Sequence, residues 1–137
     1  MQYRATIEKE GRAFNVSFPD CPGCLTFGKS EADALTQAQE ALEGWLEASL
    51  VSGVVPPAPK AKRGHAITVN PHLSAVVLIR QRRAALGLSQ AEVAKRAGVS
   101  QQQIARLENP DGNPTVAMLV KVAEALGCRV ELSLTAA

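Results

Sequence analysis

Three consecutive glutamines, Gln101, Gln102 and Gln103, follow Ser100 at what reads as the start of a helix. A glutamine amide carries one donor and one acceptor, the pattern that matches N6 and N7 of adenine in the major groove of DNA. Ser100 is of the type that caps a helix, and Ile104 and Leu107 have the spacing of an inward face. Gln101, Ala105 and Arg106 then lie broadly on the outward side, with Arg106 one turn further on. A glutamine run can equally be a solvated helix face, but its position at a capped helix start favours contact with a ligand.

Holding such a helix requires a second one crossing it through a tight turn. Ser89 and Glu92 form a capping box for that earlier helix. Ala94 is small where the helices would cross, and Gly98 frees the turn from steric restriction. Val93, Ala97, Val99, Ile104 and Leu107 supply the apolar wedge between them. In this register the segment LSQAEVAKRAGVSQQQIARLEN resembles the helix-turn-helix of the phage-repressor (Cro/C1, or XRE) family, over roughly residues 74–127. The resemblance implies that the second helix enters the major groove with its first turn against the base edges. Gln101, Gln102 and Arg106 then become the expected base readers, and Gln90, Ser100 and Asn109 the expected phosphate contacts. Many members follow this helix with a glycine- and lysine-rich turn. Here Asn109-Pro110-Asp111-Gly112 stands instead, and Asp111 weakens the phosphate contact expected there.

The surrounding chain is consistent with a nucleic-acid-facing half. Residues 1–55 hold four basic and eight acidic side chains, a formal −4, and residues 56–137 hold eleven and five, a formal +6. The sign changes at Pro56, Pro57 and Pro59, followed by Lys60, Lys62 and Arg63, which read as an exposed, semi-extended linker. Three domains of organisation follow: residues 1–55, a linker over 56–64, and a DNA-binding domain over 65–137. After the linker the pattern predicts a short strand at Ala66–Val69, helices over His72–Leu86, Gln90–Ala97, Gln101–Asn109 and Pro114–Leu126, and a last strand at Arg129–Leu134. The two strands are candidates to pair with each other, within a chain or across a dimer.

In the first half, Tyr3–Ile7 and Phe14–Phe18 read as a hairpin turned at Gly11, and Cys24–Phe27 as a third strand. A helix follows, capped by Ser30, with Leu35, Ala38, Leu42, Trp45 and Leu46 in one stripe and Gly53 at its end. The expected fold is α+β, a small antiparallel sheet covered by a helix, joined to an all-α helix-turn-helix domain with a short terminal strand. The run from Phe14 through Phe18-Pro19-Asp20-Cys21-Pro22-Gly23-Cys24 to Gly28 and the helix ending near Trp45-Leu46 resembles the HicB antitoxin family. Position 21 is usually a larger apolar residue in that family. The resemblance implies a truncated ribonuclease-H-like fold that covers the active site of a small RNA-cleaving HicA-type toxin, with a second domain repressing the operon. An acidic module suits a basic RNA-binding partner. By charge alone, Glu8, Glu10, Asp20, Glu40, Glu43 and Glu47 are candidates for that contact.

Other chemistries fit less well. Cys21-Pro-Gly-Cys24 has the spacing of a redox pair or half a zinc site, but it lies in a turn before a strand, and the other ligand types, Cys128, His65 and His72, lie beyond the linker. Two structural thiols are the simpler reading, and no metal or other cofactor is expected. Ribonuclease-H-type catalysis would need several converging carboxylates, of which Asp20 and Glu8 are possible members, so the chain is not expected to be an enzyme. A ligand-responsive transcriptional regulator without a toxin partner is the alternative. An odd cysteine count, no apolar run near the ~20 residues of a membrane span, and a polar-interrupted start give a cytoplasmic expectation. Two copies on a near-palindromic operator are expected, since one such domain reads a short half-site.

Overall fold

The computed structural model describes residues 1–137. Strands β1 (Gln2–Glu10) and β2 (Ala13–Ser17) form the expected hairpin, with Gly11 at φ 61° in its turn. Strand β3 (Leu25–Gly28) joins the far side of β2, and the alternation of side chains sends Tyr3, Ala5 and Val16 to the buried face. Helix α1 (Glu31–Val51) covers that face. Ser30 caps it by accepting the Asp33 N–H, and the Asp33 carboxylate accepts the N–H of Lys29 in return. Ala34, Ala38, Leu42, Leu46 and Leu50, four residues apart, are its buried line, with Leu35 and Trp45 half-buried beside it. Gly28 sits so close to the start of α1 that a Cβ there would run into the backbone of Ala34.

Strand β4 (His65–Thr68) departs from expectation. It belongs to this first sheet, antiparallel to β1 with Tyr3 opposite Ile67, and the strand order is β3-β2-β1-β4. The residues assigned to the second domain from position 65 therefore begin inside the first. The cause is length: β1 runs nine residues rather than the five its apolar pattern marks, and its second edge is open to a strand sixty residues away. The other expected strand, Arg129–Leu134, is not formed.

The proline segment is also more than a tether. Pro56 is buried, the Tyr3 hydroxyl donates to the Pro57 carbonyl at 2.7 Å, and the N–H groups of Lys60 and Ala61 both donate to Asp20 at 2.9 Å. It is a strap that crosses from α1 and delivers the chain to β4. Prolines lack donors but keep acceptors, so its prolyl stretch is held through carbonyls, by Tyr3 at Pro57 and Gln81 at Pro56, and its later residues through their N–H groups.

Helix α2 (Pro71–Ala85) begins with proline at its first position. Its cap, Asn70, accepts the Leu73 N–H and is itself held by Glu43 of α1, at 2.7 Å from its N–H and 2.8 Å from its amide. Leu73, Val76 and Val77 complete the core beneath the sheet, whereas Ile79, one turn on, belongs to a second core. That core gathers Val93 and Ala94 of α3 (Gln90–Ala97), Ile104 and Leu107 of α4 (Gln101–Leu107), and Val122 of α5 (Val116–Ala125), with Leu126 just beyond. The packing thus changes within α2. No helix is long and apolar enough to cross a membrane.

Candidate nucleic-acid interface

The α3–α4 pair is built as its caps dictate. Ser89 accepts the Glu92 N–H and Glu92 accepts the Ser89 N–H, each at 3.1 Å. Because that exchange needs the carboxylate, it holds Glu92 below the usual carboxylate range. Gly98 takes the left-handed conformation at φ 68°, which closes α3 and turns the chain into α4. Ser100 caps α4 by accepting the Gln103 N–H, and the Gln103 side chain accepts from the Ser100 N–H at 2.9 Å. Of the wedge residues, Val93, Ile104 and Leu107 are fully buried, and Ala97 and Val99 pack half-buried against them.

This arrangement sorts the glutamines. Gln103 is spent on the cap, whereas Gln101 and Gln102 are exposed at the first turn of α4 with Arg106 exposed one turn later. Ser100 is exposed but its hydroxyl serves the cap, and Asn109 is exposed with its side-chain oxygen accepting the Asp111 N–H at 2.9 Å. Gln90 is half-buried, and its amide donates one hydrogen bond to Glu108 at 3.2 Å.

Glu108 itself escaped the sequence reading. It is 4% exposed directly after α4, and Arg83 of α2 grips it with two donors, Nε at 2.6 Å and Nη2 at 2.8 Å. The Glu108 bonds hold the Arg83 guanidinium charged against the opposing effect of burial. Arg80, 3.8 Å from the same carboxylate, donates to the Leu50 carbonyl at the end of α1. The end of α4 is therefore locked to α2, and through Arg80 to α1. Its partner lies 25 residues away, so no local spacing in the sequence announced the pair.

The acidic candidates of the first half separate as sharply. Asp20 holds the strap and Glu43 holds Asn70, whereas Glu8 and Glu10 are exposed on the face of the sheet opposite α1, and Glu40 and Glu47 are exposed on α1. On that open sheet face, Leu25 is 70% and Phe27 62% exposed, on the edge strand beside an open depression of about 420 Å³ that Glu8, Asn15 and Ser17 also line. Strand alternation accounts for their orientation: Gly28 is pressed against α1, so Phe27 beside it and Leu25 two residues before Phe27 face away. The Cys21 and Cys24 side chains are buried, and burial pushes their thiols up to about 12 and about 11, so both stay protonated at neutral pH.

The fold and this surface define a regulator of the helix-turn-helix class with an α+β domain in front. Residues 79–132 match the helix-turn-helix family model, and residues 3–80 match that of the HicB-like antitoxins of bacterial toxin–antitoxin systems. Over 136 residues the chain is 32% identical to Antitoxin HicB 1 of Photorhabdus laumondii, covering 98% of this chain and 87% of that one. It is also 32% identical to Antitoxin HicB of Escherichia coli K12, covering 96% and 98%. Antitoxin HicB 2 of Photorhabdus laumondii is 28% identical over 132 residues, covering 96% and 95%. The chain belongs to the HicB-like antitoxin family and carries a helix-turn-helix DNA-binding domain. Both are families of non-enzymatic regulators.

Proposed function

We propose that this antitoxin neutralises a basic, RNA-cleaving toxin of the HicA type with the open face of its sheet, and represses its own operon by reading an operator with α4. The observation that carries this reading is the pairing of two outward surfaces of opposite character. One places Leu25 and Phe27 beside Glu8 and Glu10; the other presents Gln101, Gln102 and Arg106 on a doubly capped helix pair. Apolar anchors rimmed by acids suit a basic protein, since aromatic and aliphatic side chains supply contact area and complementary charge speeds encounter. Paired amides at a helix start suit adenine edges. Arg106 reaches into the same groove, while Ser100 and Asn109 sit at its rim near the phosphates. Glu47 lies on the opposite side of the domain, on α1, and Asp20 and Glu43 are engaged within the fold, so Glu8 and Glu10 are the acids of the toxin contact. A single domain reads one half-site, so two copies occupy a near-palindromic operator in the cytoplasm.

The test is co-expression with the small open reading frame beside the gene, read by growth rescue and co-purification. The intact chain rescues growth and retains the toxin. Replacing both Leu25 and Phe27 by serine abolishes rescue while operator binding persists. Rescue unchanged by that pair moves the toxin contact elsewhere; no rescue by the intact chain leaves a ligand-responsive regulator.

A further inference from the structure

We propose that the end of α1, in the first half of the chain, forms part of the DNA interface: a backbone phosphate of the duplex sits in the depression between α1 and the end of α4, held by Arg80. The inference rests on the proposed reading that α4 enters an operator, and it adds a charged contact from outside the helix pair. The depression is open and measures about 270 Å³. Both halves of the chain line it: Leu50 and Val51 come from α1, Arg80 from α2, and Gln90, Glu108 and Asn109 from the helix-turn-helix.

Donors outnumber acceptors around it. Arg80 donates once within the chain, from Nη1 to the Leu50 carbonyl at 2.8 Å, and its buried Nε has no hydrogen-bond partner. Gln90 gives one amide hydrogen to Glu108, which leaves the second. Asn109 accepts the Asp111 N–H through its oxygen, which leaves both hydrogens of its amide. Glu108 is the one acid in the lining, and Arg83 already grips it with two bonds, at 2.6 and 2.8 Å. Two guanidiniums, only 12% and 19% exposed, therefore stand against one carboxylate, a formal +1. A charge so enclosed calls for an anion, and the Leu50 carbonyl offers only the partial charge of a helix end. A phosphate completes the site by accepting from the Arg80 guanidinium and from the two amides. Gln90 opens α3 and Asn109 follows α4, the positions that the helix-turn-helix reading gives to the backbone of the duplex, so the phosphate is one of DNA.

Anisotropy titrations of the full chain and its variants on operator and random duplex DNA, over a range of salt, test this. Arg80→Gln weakens binding several-fold on both DNAs alike, and it makes the slope of log affinity against log salt shallower by about 0.9, the loss of one phosphate contact. A loss of affinity or of thermal stability with the slope unchanged shows a packing role alone and overturns the seat. Val51 is 76% exposed and belongs to neither core, so its variants keep the fold. Val51→Glu weakens binding on both DNAs, and Val51→Lys added to Arg80→Gln restores the slope. Val51 variants that bind as the unaltered chain does overturn the seat, and a loss by Gln101→Ala on the operator alone then leaves the α4 reading standing. Inorganic phosphate that raises the thermal transition through Arg80, while DNA binding ignores Arg80→Gln, assigns the depression to a free anion and overturns the DNA seat. A full chain that binds neither DNA overturns both readings.

Discussion

The two cores of this molecule are held together by different means. Beneath the sheet, sixteen buried residues drawn from β1, β2 and β4, from the turn after β2, from α1 and from the first half of α2 form one apolar cluster. Among the helices only seven do, and the structure is completed by two reciprocal capping boxes and the buried Arg83–Glu108 pair. A small core cannot supply much stability from area alone, so local hydrogen bonding carries a larger share. This suits the division of labour: the sheet is a rigid platform with one bare face, whereas the helical half must fix the pitch of a single seven-residue helix. The contrast teaches that polar substitutions should hurt the helical half most and apolar truncations the sheet.

Glu108→Ala should have the largest effect, about 3–5 kcal/mol, because it strands Arg83 beside a buried vacancy. Chemical denaturation measures it, and a loss below about 1 kcal/mol would dissolve the contrast. Leu42→Ala, wholly buried on α1, should cost about 2–5 kcal/mol through lost burial and a residual cavity. Since α2 contributes to both cores, each variant should lower a single unfolding transition; two separated transitions would mean that the halves are independent. Asp20→Ala frees the Lys60 and Ala61 N–H groups and should cost about 1–3 kcal/mol. Limited trypsin should then cut after Lys60, Lys62 or Arg63 several times faster than in the unaltered chain; equal rates would mean that the strap is not held by Asp20.

The last effect appears only at alkaline pH and vanishes near neutrality. Burial raises Cys21 to about 12 and Cys24 to about 11 from an ordinary value of 9.0, so above pH 9 the unfolded chain releases protons that the folded chain keeps. Stability from these groups is full below pH 9 and is lost as pH rises through 9 toward 11 to 12. Replacing both by serine should flatten that decline in a denaturation series against pH, and an unchanged slope would assign it to other groups.

What was legible in the sequence follows the same division. The helix-turn-helix could be read almost to the residue because its signals are local: Ser89 with Glu92, Gly98, Ser100, and the spacing of Val93, Ile104 and Leu107. Gln101, Gln102 and Arg106 lie at the surface as the inward face requires. The hairpin, β3 and α1 were legible for the same reason. The pairing of β4 with β1, the strap's anchoring to Asp20, and the grip of Arg83 on Glu108 were not, because each joins residues distant in sequence and no local period announces a partner. Gln90 is a further case: its hydrogen bond to Glu108, from the end of the next helix, was not announced by its position in the motif.

The most direct measurement is fluorescence anisotropy of the full chain on its own upstream operator and on random duplex DNA at one fixed salt concentration. Gln101→Ala should lose about 1–3 kcal/mol on the operator and far less on random DNA, because the lost contact is to a base edge. Equal losses on both would contradict the account, leaving α4 as a helix that meets the backbone without reading sequence.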